Sequence, residues 1–255
     1  MKLFYRTYGA GHPLLILHGL LGASGNWHSL AKRVFSKKYR VIAVDLRNHG
    51  KSPHFEEFSY DAMAGDLTEL MDHLEIDSAH FLGHSMGGKT AMHFALLHSE
   101  RIDGLVIADI APVDYPHLHE DTLAALQSID LSHYSSRNQI ESVMSEAFED
   151  RSVLQFLMQG VERKKGEYRW KFHLEAITNG YDSLQEAVLG WQPFEGSALF
   201  VRGGKSDYVL DSHMISIRTM FPYAEVETIQ EAGHWIHADA PDQFGKIVMT
   251  FLETA

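Results

Sequence analysis

The sequence predicts an α/β fold with a mostly parallel central sheet flanked by helices, interrupted by a helical insertion. Three observations predict it. Short all-apolar runs without alternation recur along the chain, the mark of strands buried on both faces of a parallel sheet. Helix-period segments lie between them, giving the strand–helix rhythm of a doubly wound architecture. That rhythm breaks between Pro112 and Pro193, where only helical patterns and polar joints follow.

The elements can be justified in chain order. Leu14–Leu17 is the first apolar run and ends at His18-Gly19; Val41–Val44 is the second and ends at Asp45. Ser59 can N-cap a helix whose apolar face is Met63, Leu67, Leu70, Met71 and Leu74. His80–Leu82 ends at Gly83, and a helical pattern follows through Met86, Ala91, Met92 and Ala95. Leu105–Ala108 ends at Asp109. Within the insertion, Leu118–Leu131, Asn138–Phe148, Ser152–Val161 and Ile177–Leu189 read as helices, and Glu167–Phe172 as a short extended piece. Tyr168, Trp170, Met144 and Met158 read as packing inside it. Ala198–Val201 restores the strand pattern, Ala224–Ile229 alternates, and Asp242–Leu252 reads as a closing helix. The expected organisation is a core of residues 1–112 and 193–255, with residues 113–192 inserted as a cap over the strand ends. In such sheets function gathers at the carboxyl ends of the strands.

Composition narrows the function classes. The 255 residues suffice for one large domain, and the formal net charge of −12 repels nucleic acid and anionic lipid. With no cysteine there is no disulfide framework, thiolate nucleophile or Cys-based zinc site. No apolar segment near the start is long enough for a leader or a membrane span, so a cytoplasmic location and a small-molecule partner are expected. His117-Leu118-His119 lacks the carboxylate or Cys spacing of a metal site and reads as surface histidine. Gly203-Gly204-Lys205-Ser206 lacks the upstream glycine of a phosphate loop.

Chemistry concentrates in Gly83-His84-Ser85-Met86-Gly87. This is G-x-S-x-G between a strand and a helix. A serine on so tight a turn needs neighbours without side chains, and the turn pushes its hydroxyl out of the sheet. Serine is a weak nucleophile without a base and an acid that orients the base. Glu231-Ala232-Gly233-His234-Trp235-Ile236-His237 supplies the base as His234, on a loop after a strand, with His237 as the decoy. The glycines of His18-Gly19-Leu20-Leu21-Gly22 let the Leu20 N–H approach a reacting carbonyl, so Leu20 and Met86 N–H are the expected oxyanion donors. Asp109 and Asp207 both follow strong strands, and either could be the acid.

HGLLG, DLRNHGKS, GHSMGG, ADIAPVDY, GGKSDYV and AGHWIHADAP, in this order, resemble the α/β-hydrolase superfamily and, more narrowly, the small YbfF-type esterases. The resemblance implies carboxylesterase activity on small esters, no cofactor and a helical cap. It implies that Asp45–Ser52 is scaffold, with Arg47 a loop tie and Asn48 a residue tolerant of left-handed backbone. It also bears on the acid. Gly204-Lys205-Ser206-Asp207 fits the usual G-x-x-D literally, which favours Asp207; the longer G-x-x-D-x-x-V pattern from Gly203 to Val209 puts Ser206 at that position. The YbfF-type register has serine there and an acid in the DIAP segment. That implies Asp109 as the acid and Ser206 as an auxiliary hydrogen-bond partner. An acyl thioesterase, an amidase, a C–C bond hydrolase or a non-catalytic scaffold of the same fold are the alternatives.

Overall fold

The computed structural model describes residues 2–255. Among the described residues there are nine strands: β1 (Tyr5–Tyr8), β2 (His12–Leu17), β3 (Tyr39–Val44), β4 (Ala79–His84), β5 (Ile102–Ala108), β6 (Val161–Lys164), β7 (Glu167–Trp170), β8 (Ala198–Gly203) and β9 (Ala224–Ile229). Seven form one sheet in the order β1-β3-β2-β4-β5-β8-β9. All neighbours in it are parallel except β1, which runs antiparallel to β3. The central strands carry continuous apolar runs because helices cover both faces. One apolar cluster on one side includes Leu15, Ile42, Phe81 and Phe94, and the other includes Leu14, Val41, Leu82 and Phe244.

The register places the strand ends in one row. Leu17 pairs with Gly83, His84 with Ala108, Ala108 with Val201, and Gly203 with Ile229. The loops that follow these residues therefore emerge side by side. The strand order reverses between β2 and β4, so the loops after Leu17 and His84 flank the switch point where open α/β sheets bind ligands.

Several elements depart from the sequence expectation. β1 has no apolar run because it is an edge strand whose Arg6 and Thr7 face solvent. The helices His28–Arg33 and Met214–Met220 were also not anticipated. In the inserted stretch, the helix expected over Ser152–Val161 ends at Gln159, and Val161 instead opens an antiparallel pairing of β6 with β7. The helix expected over Leu118–Leu131 is confined to Glu120–Ser128. That expected over Ile177–Leu189 is two short helices, Leu174–Asn179 and Tyr181–Gln185, with Gly180 between them. Gly180 packs so closely that a Cβ there would lie 2.6 Å from the Phe58 carbonyl. Met144 and Met158 are buried, and Tyr168 and Trp170 pack partly buried against the same cluster.

Ser59 does cap its helix, its Oγ accepting from the Ala62 N–H at 3.2 Å. Arg47 ties the loop after β3 to that helix through Asp66, at 2.6 and 2.8 Å, and Asn48 holds φ 65°.

Candidate active site

Ser85 follows β4 and precedes the helix Met86–Leu97, with φ 52° and ψ −120°. A non-glycine residue rarely adopts this backbone, and it persists only where its surroundings impose it. They do so through close packing. A Cβ at Gly83 would lie 2.2 Å from the Gly87 carbonyl oxygen, and one at Gly87 would lie 2.5 Å from that of His18. The Ser85 N–H donates to the Ala108 carbonyl at 3.1 Å, fixing the turn to the end of β5.

Asp109 begins the next loop along the row, also at positive φ, and its side chain is fully buried. Its Oδ1 accepts from the Gly203 N–H at 2.8 Å. Its Oδ2 lies 2.8 Å from His234 Nδ1 and also accepts from the Ser206 hydroxyl. Asp207 is exposed, so the acid favoured by the literal G-x-x-D spacing points to solvent while Ser206 faces Asp109. A Cβ at Gly203 would lie 2.3 Å from the Gly233 carbonyl, which explains a glycine where the β8 loop crosses the His234 loop.

His234 is held on three sides. Asp109 is one contact. The His84 ring bonds the His234 carbonyl through Nε2 at 2.9 Å, and Tyr208 stacks on the imidazole with centroids 3.7 Å apart. Burial holds His84 well below the ordinary histidine range, with the nearby His234 and His237 adding to the effect. His237 does not take the place of His234: its ring stacks on Trp27 at 4.4 Å, and its pKa is pushed down to about 3, chiefly by burial.

Leu20 and Met86 border a small compartment beside Ser85, of about 30 Å³. Met86 is the first residue of its helix, so its N–H lies in the turn where helical donors lack intrahelical partners. A Cβ at Gly19 would lie 2.9 Å from the His84 ring and 3.4 Å from Ser85 Cβ, so glycine lets the Leu20 loop lie against the turn. Two buried histidines brace that loop. His18 Nε2 accepts from the Leu46 N–H at 3.0 Å, and His49 Nε2 accepts from the Leu21 N–H at 3.1 Å.

Ser85 and His234 line a larger cavity of about 610 Å³, which the segment between β5 and β8 walls with His119, Val153 and Phe156. Here a surface assignment needs correction. His117 is exposed, beside Glu120 and Asp182, but His119 turns inward and its Nε2 lies 3.1 Å from the Tyr208 hydroxyl. Its pKa is pushed down to about 4, mainly by burial. The two residues are adjacent but one in sequence, and nothing in their local pattern tells which one the fold turns in. His84 and Tyr208 also belong to the site, although the motifs that contain them, GHSMGG and GGKSDYV, assign neither a role.

Comparison with known proteins agrees with this architecture. Residues 12–241 match the family described as alpha/beta hydrolase fold. The chain belongs to that family. It is 37% identical to Esterase YbfF of Escherichia coli over 245 residues, covering 94% of this chain and 92% of that protein. It is 38% identical to a zebrafish (Danio rerio) protein named sn-1-specific diacylglycerol lipase ABHD11, covering 96% of this chain and 80% of that one. Among solved structures, one titled marine microorganism esterase superposes with a TM-score of 0.96 at 39% identity, covering 98% of this chain and 99% of its own.

Proposed function

We propose that this family member is a serine carboxylesterase that cleaves small carboxylic esters through an acyl-enzyme. The observation that carries the reading is the shared cavity: Ser85 on its strained turn and His234, whose imidazole the buried Asp109 holds at 2.8 Å, line the same space. The esterase relatives support it at the level of reaction type.

In this scheme His234 Nε2 takes the proton of the Ser85 hydroxyl as its oxygen attacks the ester carbonyl carbon. The carbonyl oxygen becomes an oxyanion facing the Leu20 and Met86 N–H groups. The C–O bond to the alcohol breaks as His234 returns the proton to the leaving oxygen. Water, deprotonated by His234, then attacks the acyl-enzyme; the acid leaves and Ser85 recovers its proton. Asp109 fixes the imidazole tautomer, because its Oδ2 accepts a hydrogen bond from Nδ1–H, and its carboxylate stabilises the charged ring. Ser206 donates to the same oxygen and keeps the carboxylate in place. Residues 113–192 serve as the cap, inserted between core segments 1–112 and 193–255, and bound the substrate cavity. The scheme draws on side chains, backbone and water alone. No helix among the described residues is long and apolar enough to cross a membrane.

Turnover of p-nitrophenyl acetate tests the reading. Ser85→Ala should lower kcat by about 10⁶ if it behaves as other serine triads do. A folded Ser85→Ala protein with wild-type turnover would refute it.

A further inference from the structure

Two compartments meet at Ser85, and they differ in what they can do. His234 lines the larger cavity but not the smaller. In the reaction above His234 must protonate the leaving oxygen, so the alcohol arm lies on its side, in the larger space. The acyl arm is left with the small compartment, about 30 Å³ against about 610 Å³ for the larger space, so only a short acyl group enters it. An acetyl-sized group suits it.

The far wall of that compartment includes Leu184 and Gln185, at the end of the short helix Tyr181–Gln185. Lys89, four residues beyond Ser85 in the helix that Ser85 precedes and only 2% exposed, lines the compartment itself and reaches this wall. Its ammonium donates to three successive carbonyls: Leu184 at 3.4 Å, Gln185 at 3.2 Å and Glu186 at 2.6 Å. Three donors thus meet three acceptors. The charge also lies 4.9 Å from the Tyr115 ring centroid and 6.0 Å from that of Tyr60. The same carbonyls take two further bonds, from the Tyr60 hydroxyl to Leu184 at 3.0 Å and from the Tyr115 N–H to Gln185 at 2.9 Å. A buried cation is costly to desolvate, and an apolar side chain could fill the space. What an apolar side chain could not do is hold three carbonyls that no helix continues to satisfy.

We propose that Lys89 is a positioning residue that fixes this wall and so limits the acyl arm to about acetyl size. The inference rests on the esterase reading and deepens it. The charge state of Lys89 offers a second handle. Burial pushes its pKa down to about 8, against the pull of Asp114 and Glu186. The other groups facing this space stay neutral near that pH, since burial raises Tyr60 and Tyr115 and lowers His119 to about 4. The hold on the wall should therefore weaken as pH rises through about 8.

The experiment compares kcat/KM for p-nitrophenyl acetate and p-nitrophenyl hexanoate in wild type, Lys89→Met and Lys89→Arg. A ratio cancels the effects that the two esters share, including the state of His234. Wild type should favour acetate at least tenfold at pH 7. Lys89→Met should lower that preference about tenfold, through a smaller KM for hexanoate, because one pocket feature is typically worth 10–200-fold. Lys89→Arg, charged at every pH used, should keep the preference. In wild type the preference should decline from pH 7 to 9.5, and in Lys89→Arg it should stay level. An unchanged ratio in folded Lys89→Met or a wild type indifferent to chain length would each overturn the inference, and a wild-type ratio constant up to pH 9.5 would overturn its pH dependence. If the variants do not fold, the wild-type preference at pH 7 decides: a wild type that turns over hexanoate as well as acetate overturns the inference. Turnover retained in Ser85→Ala would instead mark failure of the esterase reading itself.

Discussion

Asp109 accepts from three groups on two segments, the end of β8 with its following loop and the loop that carries His234, and the site depends on that convergence. Asparagine in its place would offer an amide to the imidazole and disturb the tautomer. Asp109→Asn should therefore cost on the order of 10⁴ in kcat, as loss of a triad acid can. Asp207→Asn, altering an exposed side chain, should leave ester turnover within about twofold. A steady-state comparison of the two folded variants checks both, and a severe loss confined to Asp207→Asn would reverse the assignment. At this scale the sequence was informative where a motif fixes spacing to a backbone requirement. Gly83, Ser85 and Gly87 are legible because only glycine fits the neighbours of such a turn. The acid was less so, because one residue of loop register decides between Ser206 and Asp207, and the literal spacing pointed to the exposed one. The inward turn of His119 is set by the Tyr208 contact across the fold, which leaves no local signal.

Among the elements, the loop after β3 shows how a site is braced from a distance. Asp66 is buried with Arg47 in a two-bond ion pair, and Arg47 also donates to the Glu57 carbonyl at 3.1 Å. Removing one partner of a buried pair leaves an uncompensated charge and costs about 3–5 kcal/mol. Asp66→Ala should lose that much stability in urea unfolding, and a loss below about 1 kcal/mol would show that the tie is dispensable. Gly87→Ala is expected to be severe as well. Its Cβ would enter the space of the Leu17 and His18 carbonyls at 2.6 and 2.5 Å, so the turn and the Leu20 loop must separate. Turnover should fall far more than in Gly25→Ala, where a Cβ meets nothing within 4 Å. The central strands were legible because burial on both faces forces continuous apolar runs. Tyr5–Tyr8 was not, since an edge strand needs no such run. Nor was the break at Gly180, which follows from a close approach to Phe58 in a distant segment.

For the whole molecule, one consequence of the architecture is a store of neutral buried histidines. Burial lowers His18, His49 and His84, and brings His80 and His119 to about 4 and His237 to about 3. Unfolded, each takes a proton near pH 6.5, while the folded chain resists it until far lower pH. Their contribution is thus fully present above about pH 6.5 and is lost as pH falls toward the folded values. Thermal unfolding should show a melting temperature level near pH 7 to 8 and falling steadily from pH 6.5 to 4. A melting temperature constant over that interval would contradict it. The parallel sheet and the row of strand ends follow from the strand–helix rhythm, and with them the gathering of Ser85, Asp109 and His234 at one edge; the strand order does not, because the rhythm leaves open on which side each new strand is added. The most direct test of that gathering is covalent. After reaction with a fluorophosphonate, peptide mass mapping should find one adduct per chain, on Ser85, and His234→Ala should form it far more slowly. An adduct on another residue, or an intact folded protein that takes no label, would contradict the account.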